Sequence, residues 1–138
     1  MFNAPVLTVA VGAWAEDGGR IVGAIFFSRL TYPDHPEVYI LAAVAVHSDF
    51  QRQGIGRALI ARGLAAMKQQ GAVFAATYGD PAFYGKLGFR RLGPDVIAAP
   101  CPLSQPEGWL GQSLTGEPVE KIPGSCSCVQ ALDNPAYW

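Results

Sequence analysis

Ala42-Ala43-Val44-Ala45-Val46-His47, followed within four residues by Gln51-Arg52-Gln53-Gly54-Ile55-Gly56-Arg57-Ala58-Leu59-Ile60, is the stretch whose reading decides the fold. Val38 to Val46 is almost continuously apolar, which predicts a central strand buried on both faces. From Gly54 to Gln70 the apolar residues Ile55, Leu59, Ile60, Leu64 and Met67 fall at the 3–4 spacing of one helix face, and Gly71 supplies a stop. A strand, a short turn and a glycine-bearing helix start converge several backbone N–H groups on one point, where the helix dipole also favours an anion. That arrangement is a phosphate cradle. Gly54 and Gly56 matter because a Cβ there blocks close approach of a pyrophosphate or the positive φ such a cradle needs.

Glycines in a strand-to-helix turn are commonly tight-turn residues and nothing more. A second segment changes the weighting: Gly79-Asp80-Pro81-Ala82-Phe83-Tyr84-Gly85-Lys86-Leu87-Gly88-Phe89. Asp80 is placed to cap a short helix with Pro81 at its first position, and Gly88 ends it before Phe89. With both motifs in place, the sequence resembles the GNAT superfamily of acetyl-coenzyme A-dependent N-acetyltransferases, and within it a subgroup of small bacterial acetyltransferases. The resemblance covers about residues 7–91 well and the remainder loosely. Against a different nucleotide-binding class, the chain lacks both the Gly-Lys-Ser/Thr of a phosphate-binding loop and Gly-x-Gly-x-x-Gly.

The resemblance implies a mixed α/β fold, with a mostly antiparallel sheet flanked by helices, and acetyl-CoA as co-substrate. It implies that Val44, Ala45 and Val46 face the pantetheine arm and that Gln51, Arg52, Gln53, Gly54, Ile55, Gly56 and Arg57 hold the diphosphate. Phe83 is counted with these coenzyme-side residues, although a ring beside Tyr84 reads more simply as core. The family pattern normally opens with a strand and two helices ahead of the segment matched here. Their absence leaves the coenzyme half better supported than the acceptor half, and it keeps a catalytically degenerate acyl-CoA-binding module or subunit as the alternative to an active enzyme.

Acyl transfer from a thioester to an amine requires a neutral amine, a polarised carbonyl and a proton for the leaving thiolate. A backbone N–H at the end of Val44 to Val46 is the candidate carbonyl contact. Tyr84 is the candidate acid, since a phenol is a neutral donor with a pKa of about 10; the resemblance implies the same role, and a packing aromatic is the bland reading. For the base, His47 follows the pantetheine strand and titrates in a suitable range, though a lone strand-end histidine is commonly a solvated loop residue. His35, Asp34, Glu37 and Glu107 are further candidates that spacing does not rank. An amine of modest pKa also loses its proton to water unaided. Trp109 and Tyr32 are candidate acceptor-pocket aromatics, with packing as the plainer role.

The 138 residues are 50% hydrophobic and carry a formal net charge of −1, from 10 Lys+Arg against 11 Asp+Glu. One domain over residues 1–138 is expected, with a coenzyme-binding core at about 38–91. The charge balance argues against a nucleic-acid footprint, while Arg52, Arg57 and Arg62 concentrate positive charge beside the cradle. Cys101, Cys126 and Cys128 are odd in number and lack Cys-x-x-Cys spacing, so half-buried thiols are expected rather than disulfides or a metal site. Pro5 to Ala15 imitates a secretory segment, but no Lys or Arg precedes Arg20, and no run approaches membrane-spanning length. A cytoplasmic protein is expected. Leu7 to Ala15 and Arg20 to Leu30 read as a hairpin across a Glu16 to Gly19 turn, residues 31–37 and 92–124 as loop, Ala72 to Tyr78 as a strand, and Ser125 to Ala131 as a last strand. A sheet edge opening at Leu7 predicts self-association as a homodimer through the Leu7 to Leu30 hairpin or the Ser125 to Trp138 tail, a shared surface that could supply part of the acceptor wall.

Overall fold

Apolar residues dominate both arms of the hairpin, and they build the first half of the sheet. The computed structural model describes residues 2–3, 10–34, 36–52, 54–119 and 121–138. Strands β1 (Phe2–Asn3), β2 (Ala10–Asp17), β3 (Arg20–Thr31) and β4 (Val38–Val46) run antiparallel to one another. They are followed by α1 (Ile55–Gln69), β5 (Phe74–Tyr78), α2 (Pro81–Gly85), β6 (Arg90–Arg91), β7 (Trp109–Ser113) and β8 (Ser127–Cys128). The sheet order is β1-β2-β3-β4-β5-β7-β6, with β8 pairing the end of β3. The β4–β5 pair is parallel and every other pairing of named strands is antiparallel, which is the mixed sheet expected from the sequence. Leu7 to Val9 of the expected first strand lie outside the described residues.

The hairpin turn is shorter than its composition suggests. Gly18 and Gly19 both take positive φ, +58° and +82°, so they form the whole turn while Glu16 and Asp17 pair with Ile21 and Arg20. A larger correction concerns residues 92–124, where β7 lies within the expected loop and pairs along the whole of β5. Gly111 is the reason that strand is hard to read: a Cβ there lies 2.5 Å from the Phe74 ring, so the middle of β7 must be glycine for the two strands to pack. The expected final strand is reduced to β8, after which residues 130–132 and 135–137 turn as short 3-10 segments.

Two cores form on the two faces. On one, Leu59, Ile60 and Met67 of α1 pack on Ile25, Phe27, Tyr39 and Leu41. Gly63 lets the helix approach closely, since a Cβ there lies 2.5 Å from Phe27 and 2.7 Å from Ile25. On the other, Leu30, Tyr32, Val38, Ile40, Phe74 and Trp109 are covered by Ile97, Ile122 and Trp138. Among the described residues no helix is long and apolar enough to cross a membrane.

The three cysteines are free and half-buried beside this second core. Burial pushes the Cys126 thiol up to about 11, with a hydrogen bond to Tyr32 opposing the shift. Burial also raises Tyr32, whose hydroxyl donates to the Ala98 carbonyl at 2.7 Å. Both groups hold their protons more tightly folded than unfolded, so the stability they contribute is complete below the thiol's ordinary value near 9, and the thiol's share is lost as pH rises through about 11. Denaturant midpoints should therefore decline over that alkaline range, and Cys126→Ser should flatten part of the decline; a midpoint independent of pH there contradicts the assignment.

Candidate active site

The β3–β4 ladder contains one extra residue. Phe26 pairs with Ala43 and Phe27 with Leu41, leaving Ala42 as a bulge on β4. Strand alternation then places Val44 and Val46, rather than Ala45, on the α1 side with Leu41. The two valines form one wall of a groove of about 530 Å³, whose other walls are Phe50, Gln51, Arg52, Gly54, Ile55, Gly56, Arg57 and Phe83. Of the coenzyme-side residues expected from the sequence, all the described ones except Ala45 line this groove. Ala45 is exposed and belongs to the opposite face by alternation, and Gln53 lies outside the described residues.

The floor of the groove is the start of α1. Gly54 caps the helix with φ +78°, offers no side chain to its N–H groups, and no acidic residue stands in the first turn. Ala58 N–H donates to the Gly54 carbonyl at 3.0 Å, so Ile55, Gly56 and Arg57 are the positions whose N–H groups precede the helical ladder. A Cβ on Gly56 points at Val46 and Val44, 3.7 and 3.9 Å away, and so into the groove. Arg52 is held at φ +66°, the one such non-glycine among the described residues. Backbone strain of this kind, on the order of 1 kcal/mol, persists where surrounding structure fixes it and often marks functional sites. Gln51 ties the turn to the strand, its Nε2 donating to the Val46 carbonyl at 3.1 Å. Uncapped N–H groups, a helix dipole and two guanidinium side chains fit a diphosphate, and the apolar wall fits an extended arm.

Beyond Leu41, which pairs with Thr77 on the last rung, β4 leaves β5 and its facing edge has no strand partner among the described residues. Thr77 Oγ1 donates to the Leu41 carbonyl at 3.2 Å on that rung. Tyr84 reaches the same place from α2. Asp80 caps that helix by accepting from Ala82 N–H at 2.9 Å with Pro81 in the first turn, as expected. A Cβ on Gly79 lies 2.7 Å from the Tyr84 ring, so glycine there admits the ring. Burial raises the Tyr84 phenol, the nearby Asp80 carboxylate adds to the rise, and a hydrogen bond with Thr77 partly opposes it. Phe83 and Phe89 meet the ring edge-to-face at 5.0 and 5.7 Å. Tyr84 thus combines a packing role with a hydroxyl at the strand split.

A second cavity, of about 430 Å³, opens at the split and is walled by Ile40, Leu41, Ala42, Tyr78, Ala131, Leu132, Tyr137 and Trp138. Tyr78 and Trp138 stack at 5.8 Å. The tail is expected from the sequence only as a shared surface between subunits, and nothing in its spacing marks Ala131, Leu132, Tyr137 or Trp138 as walls of a cavity within one chain. Phe50 was also missed.

His47 lines neither cavity. It caps the turn at Ser48–Phe50, Nδ1 accepting from Asp49 N–H at 3.1 Å, which is the solvated strand-end role rather than a base at the split. Glu37 pairs with Arg29 at 3.0 Å, and Asp34 and Glu107 line neither cavity. His35 lies outside the described residues. Trp109 and Tyr32 are buried core residues, Trp109 Nε1 donating to the Ile97 carbonyl at 2.9 Å, so neither lines an acceptor pocket.

A sequence profile of the acetyltransferase (GNAT) domain matches residues 10–91. The uncharacterized N-acetyltransferase YjhQ of Escherichia coli K12 is 32% identical over 125 residues, which are 86% of this chain and 68% of YjhQ. The uncharacterized N-acetyltransferase YhbS of the same strain is 31% identical over 75 residues, 54% of this chain and 45% of YhbS. The crystal structure of E. coli YhbS in complex with CoA superposes with a TM-score of 0.77 at 22% identity, covering 91% of this chain and 71% of that one. A GNAT family acetyltransferase from Brucella melitensis in complex with acetyl-CoA superposes at 0.69 with 26% identity, covering 89% and 68%. The profile over residues 10–91 and the YjhQ match agree: this chain belongs to the GNAT acetyltransferase family.

Proposed function

We propose that the protein transfers an acetyl group from acetyl-CoA to a primary amine by direct attack within a ternary complex. The observation that carries this reading is the uncapped, acid-free start of α1 opening onto a groove whose apolar wall is the split strand β4. Relatives of the same fold were crystallised with CoA or acetyl-CoA, which supports the choice of ligand. Acetyl-CoA supplies the acyl group as an activated thioester. The N–H groups of Ile55 to Arg57, with Arg52 and Arg57, hold the diphosphate, while Val44, Val46, Phe50 and Phe83 exclude water from the arm.

The unpartnered edge of β4 past Leu41 presents backbone N–H groups to the split, where one such donor stabilises charge developing on a carbonyl oxygen. Tyr84, kept protonated by burial, holds at Oη the proton that a departing thiolate takes. No imidazole or carboxylate side chain among the described residues lines either cavity, so the amine gives its proton to solvent before attack. Acetyl-CoA should raise the melting temperature while ATP and NAD at equal concentration leave it unchanged; stabilisation by all three, or by none, overturns the coenzyme assignment.

We also propose a homodimer. Ile21 and Phe26 on the hairpin are 59% and 48% exposed, a large apolar area to leave in water. Light scattering across a wide concentration range should give twice the monomer mass, and Phe26→Asp should return it to the monomer; a monomer at every concentration contradicts this.

A further inference from the structure

The cavity on the far face of the split differs in chemistry from the coenzyme groove. Its walls are Ile40, Leu41 and Ala42 of β4, Tyr78 at the end of β5, and Leu132, Tyr137 and Trp138 of the tail, with no acidic or basic side chain among its lining residues. Two of the rings are fixed. The Tyr78 hydroxyl is turned outward, accepting from Gln105 N–H at 2.7 Å and meeting Ser104 Oγ at 3.2 Å, so the ring is what faces the cavity. Trp138 is held by its indole N–H, which donates to the Leu132 carbonyl at 3.0 Å, and by an edge-to-face contact with Trp109 at 6.2 Å. Tyr137 stands 59% exposed.

We propose that this cavity receives the acceptor, and that the acceptor is a monoamine carried on an uncharged aromatic or branched apolar body, of the arylalkylamine type. This deepens the acetyltransferase reading and rests on it. A polyamine or an aminosugar brings several ammonium groups, each of which must exchange water for a carboxylate or carbonyl on entering, and the lining offers no carboxylate side chain. An aromatic body gains instead from each apolar surface it covers and from offset or edge contacts with Tyr78 and Trp138. The same apolar surroundings favour the neutral form of the amine, which is the nucleophile, and so serve in place of a dedicated base. Position agrees with chemistry: the cavity reaches Ala42 and Tyr78, the residues directly beyond the last Leu41–Thr77 rung, where the Tyr84 side chain arrives from the other face.

The test uses the full chain, with acetyl-CoA and 2-phenylethylamine, tryptamine, spermidine and an aminoglycoside as probes. Arylalkylamines should show kcat/KM at least about ten-fold above the polycations, the discrimination expected when an apolar pocket meets a charged competitor. Tyr137→Glu, at an exposed position where folding is little affected, should lower kcat/KM for 2-phenylethylamine by about ten-fold and narrow its advantage over spermidine. Calorimetric binding of 2-phenylethylamine without acetyl-CoA gives a readout independent of the coenzyme. Should acetyl-CoA fail to bind while 2-phenylethylamine binds and Tyr137→Glu weakens it, the coenzyme assignment falls and the cavity's ligand class stands. Spermidine or the aminoglycoside used as well as the arylalkylamines, or no binding of 2-phenylethylamine at all, overturns the proposal.

Discussion

Gly56→Val is expected to abolish stabilisation by acetyl-CoA while leaving the free protein nearly as stable as the wild type. The Cβ at this position meets only Val46 and Val44, at 3.7 and 3.9 Å, which is ordinary contact distance. The branches of valine extend past that contact into the groove, over the N–H groups that precede the helical ladder. With ligand at 100 times its dissociation constant the wild type should gain about 2.7 kcal/mol, a shift of roughly 10 °C for a chain of this length. The variant should show no shift. Gly56→Ala, with one carbon and no branches, should fall between the two. A wild-type shift in Gly56→Val means that the start of α1 is not the diphosphate site.

Tyr84→Phe is expected to lower turnover by about 10²-fold or more with little change in acetyl-CoA affinity, the signature of a lost general acid. Phenylalanine keeps the edge-to-face contacts with Phe83 and Phe89 and still fits against Gly79, so a stability loss cannot stand in for a chemical one. What the change removes is a hydroxyl that burial holds protonated beside Thr77. Turnover equal to wild type returns Tyr84 to packing alone; a matched fall in affinity and turnover makes it a binding residue instead.

The parts of the site that were legible in the sequence share a physical cause. Cradle glycines, the Asp80-Pro81 cap and the continuous apolar run of β4 are local signals, each dictated by backbone conformation or burial within a few residues. What escaped is non-local. The bulge at Ala42, which turns Val44 and Val46 rather than Ala45 into the groove, is set by a register shift against Phe26 and Phe27 about 15 residues away. Strand β7 is built around a glycine explained by the Phe74 ring, 37 positions earlier, and by the Leu92 side chain. Leu132, Tyr137 and Trp138 reach the split because β8 pins the tail to β3, and no spacing within the tail announces that path. His47 is the converse case: a residue type suited to proton transfer sits one residue beyond β4, and its Nδ1 accepts a hydrogen bond within its own turn.

The catalytic reading and the degenerate binding module share the groove and differ in whether an amine is ever acylated. Mass spectrometry of an amine panel incubated with the protein and acetyl-CoA separates them most directly, with free thiol measured in the same samples. An active enzyme gives an arylalkylamine heavier by one acetyl group, one thiol released per product, and loss of both in Gly56→Val. Tight acetyl-CoA binding with no acetylated amine from any member of the panel, and no thiol beyond the spontaneous background, contradicts acetyl transfer.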